Sequence, residues 1–277
     1  MDVDDGYVRV NGFRHHYREW VSDRPDAPVL VALHGYTSHS HSFDEVAPAL
    51  ATRFRVIAPD ARGHGETDWA PDGDYTARPM VSDVVALAAA LGLDRLAVIG
   101  VSMGGRTSYN VAARHPQLVD RLVVVDISPG LVTAGSDRIR GGARANDRFA
   151  SVDEAVASQT VMLPLTPAAV VRERVRNNLM RLDDGALTWR YDPVLRTGEG
   201  LPRPDEDEQW ALVERITAPT LLVHGALSDI LSPVLAERMA KAIPGCRVVD
   251  IPGAGHSVIA DQPALFLAAV MPFLVED

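Results

Sequence analysis

Six short runs of the chain are dominated by apolar and β-branched residues: 29–33, 55–59, 96–100, 122–126, 220–224 and 247–251. They lack the apolar–polar alternation of a strand with one wet face. Such runs suit strands buried on both faces, as in a parallel sheet. A parallel sheet needs crossover connections, and helical patterns lie between the runs. Met80, Val81, Val84, Val85, Ala88 and Leu91 fall on one face of a helix. A second helix is expected after Ser102, ending near His115-Pro116, where the proline disfavours continuation. Residues 234–242 and 264–274 read as two more. Strands alternating with helices predict a mostly parallel, doubly wound α/β sheet.

One stretch breaks the rhythm. From Pro129 to Thr217 no buried strand is evident, and arginines, acidic residues and helix formers dominate. A segment of that length is too long for a loop inside a compact domain. It reads as a helical cap (129–217) inserted into a core formed by 1–128 and 218–277. Arg138, Arg140, Arg144, Arg148, Arg172 and Arg176 recur there at helical spacing, which is the pattern of a solvated face, with a substrate-carboxylate contact as the sharper alternative. Trp189 and Tyr191 suit either core packing or the wall of a substrate pocket.

Gly100-Val101-Ser102-Met103-Gly104 matches G-x-S-x-G, preceded by an apolar strand and followed by a helical pattern. That context calls for a sharp strand-to-helix turn presenting Ser102 at a helix N-terminus, where the dipole favours developing negative charge. Glycines two residues either side leave room for the turn. Near the other end, Gly253-Ala-Gly-His256-Ser257 lies between the last strand and the last helix. A histidine on a glycine-flanked loop can reach a serine hydroxyl and take its proton. His15, His16, His39, His41, His115 and His224 lack such a context and read as surface or packing residues.

These motifs resemble the α/β-hydrolase family over nearly the whole chain. The resemblance implies that Ser102 is the nucleophile and His256 the base. It implies that His34-Gly35-Tyr36 is the oxyanion loop, with the backbone N–H groups of Tyr36 and Met103 as donors. Asp60-Ala-Arg62-Gly-His64-Gly65 resembles a structural turn of the family. Two residues are candidates for the triad acid. The usual place, three residues after the strand-ending Gly225, holds Ser228, and Asp229 stands one residue late. Val125-Asp126-Ile-Ser-Pro129 resembles branches that carry serine at that place and move the acid to the preceding strand, certain esterases and the acetamidomethylene-succinate hydrolases among them. Asp126 is therefore favoured as the acid, with Asp229 as the alternative.

The activity implied is hydrolysis of a small-molecule carboxylic ester or lactone. Amide or carbon–carbon bond hydrolysis and perhydrolysis would use the same residues, and a low-turnover ligand receptor is the option from another class. Epoxide hydrolases and haloalkane dehalogenases of this fold use an aspartate nucleophile, so Ser102 argues against both. No metal or organic cofactor is implied. A formal charge of −10 argues against nucleic acid or an anionic membrane as partner. No apolar run approaches the roughly 20 residues of a membrane helix, and the acidic N-terminus lacks the order of a signal peptide, so a cytoplasmic location is expected. Cys246 is the single cysteine, which leaves no intrachain disulfide and no thiolate cluster. The oligomeric state is left open.

Overall fold

The computed structural model describes residues 3–144, 147–197 and 205–276. All six apolar runs are strands: β3 (Val29–Leu33), β4 (Arg55–Pro59), β5 (Leu96–Val101), β6 (Val119–Val125), β9 (Thr220–Gly225) and β10 (Arg247–Ile251). They form a parallel array, which β1 (Val3–Val10) and β2 (Phe13–Trp20) extend as an antiparallel hairpin. The eight-stranded order is β1-β2-β4-β3-β5-β6-β9-β10. The hairpin is absent from the sequence reading because its first strand is largely exposed and carries polar residues, the opposite of the apolar signature of the central strands.

Side chains of each central strand alternate between two cores, as the two-residue period of a strand requires. Val31, Val98, Leu122 and Leu222 point into one core; Leu30, Ile99, Val123 and Val223 point into the other. The first core is covered by α2 (Ala77–Ala90), α3 (Met103–Arg114), α8 (Glu206–Val213) and α9 (Pro233–Ala242). The second is covered by α1 (Ala47–Leu50) and α11 (Pro263–Val275), with α10 (Val258–Asp261) just before it. Each fully buried aliphatic side chain contributes about 1.5–3 kcal/mol, so covering both faces makes the sheet a rigid base for the loops at its edge.

Between β6 and β9 the chain forms α4 (Thr133–Arg144), α5 (Val152–Met162), α6 (Ala168–Asn177), a hairpin of β7 (Leu179–Arg181) and β8 (Leu187–Trp189), and α7 (Pro193–Thr197), before α8. The stretch read as wholly helical thus contains a small antiparallel hairpin. Its three-residue strands are too short to show a period. Ala155, Val171, Val175, Trp189 and Leu195 gather into a third apolar cluster, which reaches Met80 and Met103 of the main body. No helix among the described residues is long and apolar enough to cross a membrane.

Candidate active site

The strand order reverses at β3: the chain passes from β3 to β4 on one side, then to β5 on the other. Open α/β sheets bind ligands at such a switch point, beyond the carboxyl ends of the strands. The loops that follow β3, β5, β6 and β10 carry Tyr36, Ser102, Asp126 and His256 respectively.

Ser102 sits between β5 and α3 with φ 53° and ψ −111°. That is a strained conformation for a residue with a Cβ, costing on the order of 1–3 kcal/mol. Two contacts hold it there: its N–H donates to the Val125 carbonyl at 3.0 Å, and its own carbonyl accepts from Arg106 N–H at 2.9 Å. The turn is too tight for larger neighbours. A Cβ on Gly100 would lie 2.4 Å from the Gly104 carbonyl oxygen, and one on Gly104 would lie 2.2 Å from that of Leu33.

Asp126 also has a positive φ, 51°, at the end of β6. Its carboxylate is fully buried. Oδ1 accepts from Gly225 N–H at 2.9 Å, while Oδ2 accepts from the Ser228 hydroxyl and from His256 Nδ1 at 2.8 Å. His256 Nε2 stands 3.0 Å from Ser102 Oγ. An ionised carboxylate only accepts, so the imidazole proton lies on Nδ1 and Nε2 is free to accept from the serine. Ser228 occupies the position at which the family usually carries the acid. Its hydroxyl accepts from the N–H groups of Ile230 and Leu231 and donates to Asp126. Asp229 points elsewhere: Arg138 grips both its oxygens, at 2.6 and 2.9 Å. That guanidinium holds the Asp229 carboxyl below its usual range.

A Cβ on Gly35 would stand 3.5 Å from Ser102 Cβ, so the loop after β3 lies against the serine. Among the described residues, no backbone hydrogen bond of the fold engages the N–H of Tyr36 or Met103. Two buried histidines fix this loop. His34 Nε2 accepts from Ala61 N–H and its Nδ1 donates to Gly35 O. His64 Nε2 accepts from Thr37 N–H and its Nδ1 donates to Arg62 O. His64 therefore belongs to the support of the Tyr36 loop, beyond the local turn expected for it. Arg62 is held by a two-point contact to Asp83.

Burial pushes the pKa of His64 down to about 3, and that of His39 likewise to about 3. Both rings are neutral in the folded protein, whereas an unfolded imidazole takes up a proton below about pH 6.5. The folded pKa is the lower one, so this stability is fully present above pH 6.5 and is lost as the pH falls from there towards 3. Two such groups give a slope that approaches about 3 kcal/mol per pH unit once the pH is well below 6.5. Urea midpoints should drop steeply between pH 6.5 and 5.5, and His39→Gln should lessen the drop. An unchanged midpoint over that range would contradict the assignment of neutral rings.

Above the serine lies a cavity of about 410 Å³, lined by the β3, β5 and β10 loops and by α4, α5 and α6. Trp189 and Tyr191 form part of its wall and stack on one another at 6.2 Å. Val161, Leu165 and Leu227 line it while remaining exposed to solvent. Most of the arginines singled out in the sequence turn away to partners: Arg172 pairs with Asp153, Arg176 with Glu173 and Arg148 with Asp184, while Arg144 donates to Thr197 O. Arg140 also engages a neighbour. Arg174, which the sequence reading did not single out, is the arginine of α6 that lines the cavity. Its signal was available in the spacing, since it shares a helical stripe with Val171, Val175 and Asn178.

Known proteins agree with this architecture. Residues 28–263 match the family model described as alpha/beta hydrolase fold. A 2-(acetamidomethylene)succinate hydrolase of Mesorhizobium japonicum is 28% identical over 98% of this chain and 94% of its own. A 3-hydroxybutyrate-oligomer hydrolase of Cupriavidus necator is 31% identical over 91% of this chain and 89% of its own. An esterase of Mycobacterium tuberculosis is 30% identical over 88% and 82%. The crystal structure of E-2-(acetamidomethylene)succinate hydrolase superposes with a TM-score of 0.89 at 28% identity, covering 99% of both chains. This chain therefore belongs to the α/β-hydrolase family and is a hydrolase of that fold.

Proposed function

We propose that this hydrolase cleaves a small carboxylic ester or lactone through an acyl-enzyme on Ser102. The observation that carries the reading is the hydrogen-bonded row Ser102–His256–Asp126 at the base of a cavity of small-molecule size. His256 Nε2 takes the hydroxyl proton as Ser102 Oγ attacks the substrate carbonyl carbon. Asp126 keeps the other imidazole proton on Nδ1 and stabilises the ring while it is charged. The oxyanion that forms is received by the N–H groups of Tyr36 and Met103, the latter in the first turn of α3, where the helix dipole adds to the field. His256 then gives its proton to the leaving oxygen. In the second half-reaction it activates water, which releases the acid and restores Ser102.

In the same proposal residues 129–217 act as a cap on a core of 1–128 and 218–277. The cap closes over the serine and selects the acyl group. The exposed apolar side chains of Val161, Leu165 and Leu227 at the cavity suit a substrate whose far end is apolar.

The testing experiment is a panel of 4-nitrophenyl esters of increasing acyl length, with lactones, anilides and carboxylated esters alongside. Short and medium esters or lactones should turn over at least tenfold faster than the matched anilides. Turnover confined to the anilides would point to an amidase with the same three residues, and no turnover of any member would overturn the reading.

A further inference from the structure

We infer that Arg174 is a carboxylate-binding residue of the substrate cavity, so the preferred substrate carries a carboxylate in addition to the bond that is cleaved. This inference rests on the proposed ester reading for the bond and deepens it by naming the substrate class.

The position is unusual for an arginine. In α6, Val171, Arg174, Val175 and Asn178 follow the i, i+3, i+4, i+7 spacing of one face. Val171 is fully buried, and Val175 and Asn178 are 3% and 8% exposed. Arg174 thus stands on the inward stripe, between buried neighbours, where a hydrophobic side chain is the norm. Its companions Arg172 and Arg176 lie off this stripe and have carboxylate partners of their own. Arg174 has no carboxylate within ion-pair distance among the described residues, and its guanidinium makes a single long hydrogen bond, 3.4 Å, to Ser38 Oγ. A guanidinium carries five N–H donors, and this one lines the cavity that contains Ser102.

The surrounding charges do not satisfy it. Asp261 and Glu45 are near enough to act on it electrostatically, yet neither touches it. Asp261 also lines the cavity, but its two oxygens are taken by the Thr166 hydroxyl and by Gly255 N–H. The cavity's other charges, Arg138 and Asp229, neutralise one another. Burial works against the charge on Arg174 and lowers its pKa, so the guanidinium has already lost much of its hydration before an anion arrives.

Two polar atoms of its neighbours are buried without a partner. Asn178 Nδ2 donates to Thr37 O, and its buried Oδ1 has no partner. His39 Nε2 donates to the Arg174 carbonyl, and its buried Nδ1 has none either. Buried polar atoms are rarely left so. Both atoms are acceptors buried behind the cavity wall, so of the polar groups at this end of the cavity, between α6 and the loop bearing Tyr36, the guanidinium of Arg174 is the one suited to an anion. Arginine meets a carboxylate through two parallel N–H···O bonds, which sets orientation as well as affinity.

Two measurements test the inference. First, kcat/KM is compared for 4-nitrophenyl hemiglutarate and 4-nitrophenyl valerate, and for 4-carboxyphenyl butyrate and phenyl butyrate. In these pairs the carboxylate rides on the acyl side or on the leaving group. The carboxylated member of one pair should be preferred. Arg174→Gln should reduce that preference by about 30-fold, in line with hydrogen bonds to a charged group, and Arg174→Lys should restore part of it. Equal falls for both members, or no preference in either pair, would overturn the inference and leave Arg174 a packing residue. Second, monomethyl glutarate should raise the melting temperature of Ser102→Ala, whereas dimethyl glutarate should not. The shift should vanish in Ser102→Ala/Arg174→Gln. This second reading needs no turnover. A shift without esterase activity would leave the carboxylate site standing and remove the ester reading, and no shift would count against the site itself.

Discussion

Ser102→Ala and His256→Ala should each lower kcat/KM on a 4-nitrophenyl ester by about 10⁴–10⁶-fold, and the double variant should be no worse than either alone. The reason lies in the geometry. Ser102 Oγ and His256 Nε2 are 3.0 Å apart, and in the proposed mechanism neither does useful chemistry without the other: the hydroxyl is a poor nucleophile without a base, and the base has no other proton to take. Residues that act as one unit are strongly non-additive in their removal. What activity survives should come from the cavity and the proposed oxyanion donors Tyr36 and Met103, which these substitutions leave in place. Neither change should unfold the protein, since Ser102→Ala removes one partly exposed oxygen and His256 lies on a loop. Circular dichroism at matched concentration checks this. Additive losses, or a loss of only tenfold, would mean that the two side chains do not share a step.

The second large effect separates two aspartates. Asp126→Asn should cost on the order of 10²–10⁴ in kcat, and Asp229→Asn about tenfold or less. The amide that replaces the Asp126 carboxylate can turn its NH₂ towards His256 Nδ1. That favours the tautomer with its proton on Nε2, which cannot accept from Ser102, and it removes the negative charge that balances the imidazolium. Asp126 is fully buried, with partners on both oxygens. The unfolding midpoint therefore has to be measured with the rate, so that lost stability is not read as lost catalysis. Asp229 is half-exposed and held by Arg138; exposed pairs of this kind contribute about 0–1 kcal/mol. Comparable losses in the two variants would contradict the assignment of Asp126.

Most of what positions this site was legible in the chain itself. Strands buried on both faces must be apolar throughout, so the central parallel strands stood out, whereas β10, at the sheet edge, stood out by its valines although only Ile251 of it is buried. The turn at Ser102 requires small residues at fixed spacing, and Gly100 and Gly104 supply them. The preference for Asp126 over Asp229 came from Ser228 at the usual place of the acid and from the resemblance of Val125-Asp126-Ile-Ser-Pro129; in the fold the Ser228 hydroxyl donates to Asp126. Other features left no comparable trace. The β1–β2 hairpin is an edge element with mixed polarity, so no pattern of burial marks it. The β7–β8 hairpin has too few residues to show a period. Arg174 was masked by Arg172 and Arg176, because only a helical axis distinguishes the inward arginine from its outward neighbours. The roles of His34 and His64 depend on contacts across 27 residues of sequence, to Ala61 and Thr37, which no local motif records.

The central claim is that Ser102 carries the acyl group. A fluorophosphonate probe followed by peptide mass spectrometry tests it most directly, because the probe forms a stable phosphonyl ester only with an activated hydroxyl. The account predicts one adduct per chain, on the peptide containing Ser102, and none in His256→Ala. An adduct on another residue, or full labelling of Ser102 without His256, would contradict it.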